Sequence, residues 1–404
     1  MDTYDIVIIG GGIVGLATAY QLTQTHPELR CAILEKEDAV ATHQTGRNSG
    51  VIHSGVFYTP GSLKAENCRK GRQKLVAFCD KHGVDYDMCG KVVVAVTDDE
   101  VPELERIQEK GRQNQIECTR IGPERLHELE PHTQGVAALH VPSAGIVDYI
   151  GMAQELAAQV KAHGYDVYTG AAVEALDVTD EGVVCHTENG SVRGRLAANC
   201  AGLYSDKIAR MSGQEPGAQI VPFRGEYYEL VRERRGLCNN LIYPVPNPDF
   251  PFLGVHFTRM IDDRVECGPS AVLAFAREGY TFSDVNLKEL WETVTYPGFV
   301  RLSAKHWRMG LYEMAQSLSK QTYVQAAQHL IPEVTSDDLI PSPAGVRAQA
   351  VRRDGSLVDD FLIQATDRVV NVINAASPAA TASLQIGQHI TDTYLTPRLH
   401  AVSA

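Results

Sequence analysis

Between Asp5 and Gly10 the chain carries an unbroken apolar run, Ile6 to Ile9, rich in β-branched residues. That pattern predicts a strand buried on both faces. From Ile13 to Gln24 the spacing turns helical, and Cys31–Glu35 (CAILE) returns to a short buried strand. The three form a βαβ unit, whose crossover is expected to be right-handed. Further along, the pattern predicts a polar-faced helix over Ser62–His82 and a strand over Lys91–Val96. Charge-rich helices are expected over Val101–Gln113 and Pro123–Leu129, and another over Asp148–His163 with Asp148 as its cap. Short strands are expected at 166–169, 172–178, 182–187 and 191–195, then the apolar LAANCAG, Leu196–Gly202. Residues 219–268 read as strand-rich, interrupted by the turn-former YPVPNPDFPF, Tyr243–Phe252. Residues 286–328 read as helical, 368–375 as a strand and 379–394 as a helix. The whole predicts an α/β protein: a parallel sheet from the two ends of the chain, and a more antiparallel lobe inserted between them.

The turn joining the first strand and helix holds Gly10, Gly11, Gly12 and Gly15. Glycines there can serve only a tight turn. They can also let a helix N-terminus face a pyrophosphate. Here the strand–turn–helix context is complete, and Glu35 ends the next strand about 20 residues on, where a carboxylate takes a ribose hydroxyl. Dinucleotide binding is therefore expected, with Gly10 for the turn, Gly12 for phosphate approach and Gly15 for helix–strand packing. The glycine-rich, polar stretch His43–Ala65 (HQTGRNSGVIHSGVFYTPGSLKA) does not read as a second βαβ repeat. A loop of this length is seldom idle.

Net charge is −13, which opposes nucleic acid as a partner. The nine cysteines form no CxxC pair and no zinc spacing, so no metal is expected. Cys200 reads as core. No signal-like segment precedes the first strand, and no apolar run approaches the ~20 residues of a membrane span. A reducing, cytoplasmic setting is expected, with peripheral contact at the inner membrane left open.

Several stretches together resemble the FAD-dependent oxidoreductases of the D-amino-acid oxidase type, and within them the L-2-hydroxyglutarate dehydrogenases and oxidases. They are GGGIVG, the His43–Ala65 stretch, PFRGEYYEL (Pro222–Leu230), YPVPNPDFPFLGVHFTRM (Tyr243–Met260), GPSAVLAFAREGY (Gly268–Tyr280), PAGVRAQAV (Pro343–Val351) and NAASPAATASLQIG (Asn374–Gly387). The resemblance implies a Rossmann-type FAD-binding domain, discontinuous over 1–90, 145–215 and 335–404, with an inserted α+β substrate domain over 91–144 and 216–334. It implies that Ile13, Val14, Lys36, Thr45, Arg47, Asn48 and Ser49 lie along the cofactor, that Val173 meets adenine through its backbone, and that Gly202 closes a strand beside it. Ser377, Pro378, Ala379, Ala380 and Thr381 are expected at the flavin end.

A 2-hydroxy acid is oxidised by removing a hydride from its α-carbon and a proton from its hydroxyl. A dicarboxylate also needs cationic partners, and arginine's planar fork suits a carboxylate best. Arg347 and Arg224 are the candidates, with Arg259 and Arg352 weaker. For the base, histidine suits neutral pH: His53 first, His256 as a substrate contact or alternative base. Tyr243, Tyr227 and Tyr228 are candidate donors. His53 or His43 could carry a covalent flavin link, although free FAD is expected. Electrons are expected to leave to a quinone-type acceptor or oxygen. Oxidation of a small amine (glycine or sarcosine) or of glycerol 3-phosphate is the alternative with the same cofactor. A nicotinamide dehydrogenase or a tRNA-acting flavoprotein is a reading from another class.

Overall fold

The computed structural model describes residues 1–246, 254–375 and 377–403. Much of the turn expected between Tyr243 and Phe252 lies outside the described residues. An eight-stranded sheet has Asp2–Ile9 at its centre, flanked in parallel by Cys31–Leu34 and Gly190–Asn199. Asp166–Tyr168 and Val369–Asn374 extend the parallel set, so both ends of the chain meet in one sheet. The hairpins Val173–Thr179, Gly182–Thr187 and Gly190–Asn199 are antiparallel. The expected strands 191–195 and 196–202 merge into one element that ends at Asn199; Gly194 stays extended within it, paired to Tyr4 and Val183. The helix Ile13–Thr25 packs Leu16 and Leu22 onto Ile6 and Ile8, and the helices Tyr149–Ala162 and Ala379–Ile390 complete that core with Leu156 and Leu384. Asp148 caps its helix as expected, accepting from the Gly151 N–H at 2.9 Å.

A second, nine-stranded sheet is largely antiparallel. Its spine is the pair Ala218–Leu230 and Leu339–Arg352, matched from Ala218 opposite Arg352 to Leu230 opposite Leu339. The second of these strands was not legible from periodicity. Pro341, Pro343 and Gly345 read as breakers, yet the strand has a neighbour on one side only, where proline costs no ladder bond. It places part of the 335–404 stretch in the second sheet. Phe257, Ile242 and Tyr323 centre the core there.

The helical stretch 286–328 consists of three helices, Leu287–Val294, Pro297–Leu318 and Lys320–Gln328. Pro297 starts the second at its first turn, and Ser319 caps the third by accepting from the Thr322 N–H at 3.3 Å. At the C-terminus, Ala379–Ile390 widens into a five-residue π turn, Thr391–Leu395, before Thr396–Ser403. Pro397 lacks the N–H that would close the regular bond to Thr393.

Candidate active site

One cavity of about 760 Å3 runs from the first βαβ turn of the eight-stranded sheet to the face of the second sheet. At its near end the glycines divide their work. Gly10 has φ +113°, and a Cβ there would lie 2.5 Å from the Cys200 carbonyl oxygen. A Cβ on Gly15 would lie 2.1 Å from the Gly10 carbonyl oxygen. Both are therefore required by the protein's own packing. Gly12 is different: the nearest protein atom to its missing Cβ is Thr45 Oγ1 at 3.5 Å, an ordinary contact, and the residue lines the cavity. The free space in front of Gly12 suits a phosphate, not a neighbouring side chain.

Gly12 is also the N-cap of Ile13–Thr25 and offers no side-chain cap. The Ile13 N–H donates to Thr45 Oγ1 at 3.0 Å, while Val14 lines the cavity. Glu35, buried at the end of the second strand, accepts from the Gly11 N–H at 2.7 Å and from the Glu37 N–H at 2.9 Å. These bonds aim the carboxylate along the cavity wall and leave lone pairs for a ribose hydroxyl. A second helix end, Ala379–Ile390, opens on the same cavity, with Ser377, Pro378, Ala379 and Ala380 in the wall and no side-chain cap. Two helix N-termini thus give one cavity positive potential from backbone alone.

Arg47, Asn48, Ser49, Val173 and Gly202 also line the wall. The Asn48 amide is spent within its own loop, donating to the Gln44 and Thr45 carbonyls and accepting from the Gly50 N–H. Arg47 stacks on the Tyr280 ring at 4.0 Å. Lys36 bridges Glu37 and Glu278 at 2.7 and 2.6 Å, and His43 bonds Glu37 at 2.8 Å and the Tyr280 hydroxyl at 2.7 Å. That cluster stands at the Glu35 end, away from His53, so only His53 of the two histidines adjoins the Ser377 helix end. Thr381 lies just behind the wall. Its hydroxyl accepts from the His53 N–H at 3.1 Å and pairs with the Tyr149 hydroxyl at 2.9 Å, tying the His53 loop to the C-terminal helix.

The far end is built from side chains. Along Phe223–Tyr227, Phe223, Gly225 and Tyr227 face the cavity. Strand alternation turns Arg224 to the opposite face. There it is 1 % exposed, paired with Glu226 at 3.1 Å and packed on the Phe282 ring. Arg224 therefore does not reach the cavity, and neither does Arg259, which pairs with Asp87. Arg347 stands opposite Phe223 across the strand pair and does line the cavity. Arg347 keeps an exposed side chain at the cavity wall, while the protein packed around it lowers its pKa by desolvation.

His53, His256, Tyr243, Tyr227 and Tyr58 complete this end. His256 Nδ1 lies 2.9 Å from the Gly254 carbonyl oxygen, so that nitrogen carries the proton and Nε2 keeps its lone pair. Its ring packs against Tyr243 with centres 4.1 Å apart. Burial, then the charge of Lys91, lowers the His53 pKa to about 3. Burial lowers His256 to about 4, against the bond to Gly254. Both rings are neutral at physiological pH.

Lys91 was missed by the sequence reading. It heads the strand Lys91–Ala95 and is 2 % exposed. Its ammonium lies 4.6 Å from the Phe57 ring centre and 4.7 Å from that of Tyr243, two rings that line the cavity. Aromatic faces rather than a carboxylate hold it, and burial lowers its pKa to about 8. The available signal was a lysine opening the otherwise apolar run KVVVAV.

A Rossmann turn with Glu35 and two helix ends converging on one cavity fit a dinucleotide cofactor. The family model for FAD dependent oxidoreductases matches residues 5–393, and the chain belongs to that family. FAD is its cofactor. The chain is 50% identical over 386 residues to the L-2-hydroxyglutarate dehydrogenase of Indibacter alkaliphilus, covering 95% of this chain and 97% of that protein. It is 47% identical over 388 residues to the Escherichia coli K12 protein of the same name, covering 96% and 92%. The human mitochondrial L-2-hydroxyglutarate dehydrogenase is 42% identical over 409 residues, covering 97% and 88%. Among solved structures, the L-α-glycerophosphate oxidase of Mycoplasma pneumoniae with FAD bound superposes with a TM-score of 0.78 at 23% identity, covering 96% and 94%.

Proposed function

We propose that this enzyme oxidises L-2-hydroxyglutarate to 2-oxoglutarate. The observation that carries the reading is the far end of the cavity, where Arg347, the buried charge of Lys91 and two neutral histidines converge in a protein of net charge −13. Relatives at 42–50% identity bearing that enzyme's name support it.

Gly12, the two helix ends and Glu35 would hold FAD, with the glycine gap for its diphosphate and Glu35 for its ribose. Bound FAD supplies a two-electron acceptor for the α-hydrogen. Arg347 takes one substrate carboxylate through its planar fork, each charge-assisted bond contributing about 1.5–3 kcal/mol. Lys91, behind the Phe57 and Tyr243 rings, adds a fixed positive field without contacting the substrate. His53 accepts the hydroxyl proton: it lies beside Ser377 at the cofactor helix end, where its Nε2 is 3.5 Å from the serine hydroxyl. His256 presents Nε2 as an acceptor that orients the substrate hydroxyl. Tyr243 and Tyr227, the latter's pKa raised to about 12 by burial, stay protonated as donors. Holding the α-carbon and base in fixed geometry is the main source of rate.

The acceptor that would reoxidise bound FAD is a quinone-type molecule or oxygen, the former implying peripheral membrane contact. No helix among the described residues is long and apolar enough to cross a membrane. Anaerobic L-2-hydroxyglutarate should bleach the yellow of the FAD-loaded protein. A preparation that stays yellow with this acid rejects the substrate. Stopped-flow reoxidation by air against a soluble quinone identifies the acceptor.

A further inference from the structure

Away from the cavity, the exposed large apolar side chains gather on one stretch, from Phe282 to Met314. Both tryptophans of the chain lie in it, Trp291 at 69% and Trp307 at 56% exposure, with Leu311 at 61%. On the helix Pro297–Leu318, Val300, Trp307, Leu311 and Met314 recur at helical spacing and all point to solvent. The helix bends at His306 between them. Its basic residues, Arg301, Lys305 and Arg308, repeat one position along, which sets a cationic stripe beside the apolar one. All three are exposed. Its one acidic residue, Glu313, is turned inward and accepts from the Ala271 N–H at 2.8 Å. The outward face of this helix is therefore apolar and positive, on a protein of net charge −13.

The inner face is anchored to the second sheet. Besides Glu313, Ser317 bonds Glu226. At the first turn the Arg301 guanidinium, though exposed, donates to the Arg353 carbonyl, which leaves Lys305 and Arg308 as the cations free to meet headgroups. Ala271 itself, with Pro269 and Ser270, lines the cavity. The stripe is thus one layer from the wall of the redox site.

We propose that the Pro297–Leu318 helix, with Trp291 beside it, is a docking face for an anionic phospholipid bilayer. An amphipathic helix lying in the interface, with tryptophan and leucine toward the acyl boundary and Arg/Lys toward the headgroups, has this composition. A second copy of the same acidic protein would bring two positive stripes together, which disfavours self-association. The proposal deepens the peripheral contact named above and stands apart from the choice of substrate. Docking here holds the loop Pro269–Ala271, and the cavity behind it, one helix layer from the membrane, where a lipid-soluble acceptor is concentrated.

The test uses the FAD-loaded protein and vesicles of phosphatidylcholine with or without phosphatidylglycerol. Both tryptophans lie in the patch, so docking should blue-shift their emission and carry the protein with floated vesicles. Binding should weaken more than tenfold without phosphatidylglycerol or at high salt. The double variant Trp307→Ser, Leu311→Ser should lose vesicle binding by more than tenfold and keep its flavin and its anaerobic bleaching rate. The charge variant Lys305→Glu, Arg308→Glu should do the same. Absence of flotation and of a blue shift at low salt overturns the proposal. So does a concentration-dependent dimer that Trp307→Ser abolishes, since the patch would then face a second copy. Vesicle binding without bleaching by L-2-hydroxyglutarate leaves the docking face standing and removes the substrate alone.

Discussion

At the cofactor end of the cavity, Gly10, Gly12 and Gly15 present backbone and empty space within six residues of one turn. At the substrate end, Lys91, His256 and Arg347 arrive from three strands far apart in the chain and present charge and ring nitrogen. The first end binds by shape and by helix dipoles that do not titrate. The second binds by ionisable groups, Lys91 and His256 buried and Arg347 open to the cavity, whose state depends on pH and on one another. Damage to the first end should be steric and all-or-none, and damage to the second should be electrostatic and graded.

The sharpest contrast is between two glycines three residues apart. Gly15→Ala should prevent a soluble folded protein, because its Cβ meets the Gly10 carbonyl at 2.1 Å. Gly12→Ala, with 3.5 Å to its nearest neighbour, should fold with an unchanged apoprotein melting temperature. It should lose FAD, read as absent flavin absorbance. A yellow Gly12→Ala protein would break the assignment of that gap to phosphate.

At the other end, Arg347→Ala should cost at least about 100-fold in kcat/KM for L-2-hydroxyglutarate, the low end for two charge-assisted bonds, with flavin retained. Unchanged kinetics would take Arg347 out of the site. A smaller effect separates Lys91 from the histidines. Both rings are already neutral above about 4, so kcat/KM should show no acid limb near pH 6.5. Lys91 loses its charge above about 8, so kcat/KM for a dianionic substrate should fall on the alkaline side there. Lys91→Met should lower kcat/KM by about tenfold, within the spread of a partly desolvated cation, and should remove the alkaline limb. Lys91→Arg should restore the plateau. Smallest in kinetics is Arg224→Met. It should leave KM and kcat within about twofold while lowering stability by about 3 kcal/mol, since Glu226 loses its buried partner. A large rise in KM would return Arg224 to the site.

The same contrast explains what was legible in the sequence. The cofactor end is local: strand, turn, helix and Glu35 lie within one βαβ unit, and each glycine has a steric reason that a pattern can carry. The lobe architecture and the helices Ile13–Thr25, Leu63–His82 and Ala379–Ile390 follow from periodicity for the same reason. The substrate end is non-local. Lys91 reads as an ordinary strand residue until Phe57 and Tyr243 are folded over it. Arg224 and Arg347 look equivalent in sequence. Only the register that pairs Phe223 with Arg347 decides which guanidinium faces the cavity. The Leu339–Arg352 strand was hidden because proline and glycine argue against a strand, and only its edge position lifts that objection.

The placement of the two indoles has a practical consequence. Trp291 and Trp307 are already 69% and 56% in contact with water in the native fold. Heat or urea could dismantle both sheets while their fluorescence scarcely changes. A melting curve taken from that light would describe two surface helices and be silent about the core. Circular dichroism or the release of flavin would have to mark the true unfolding.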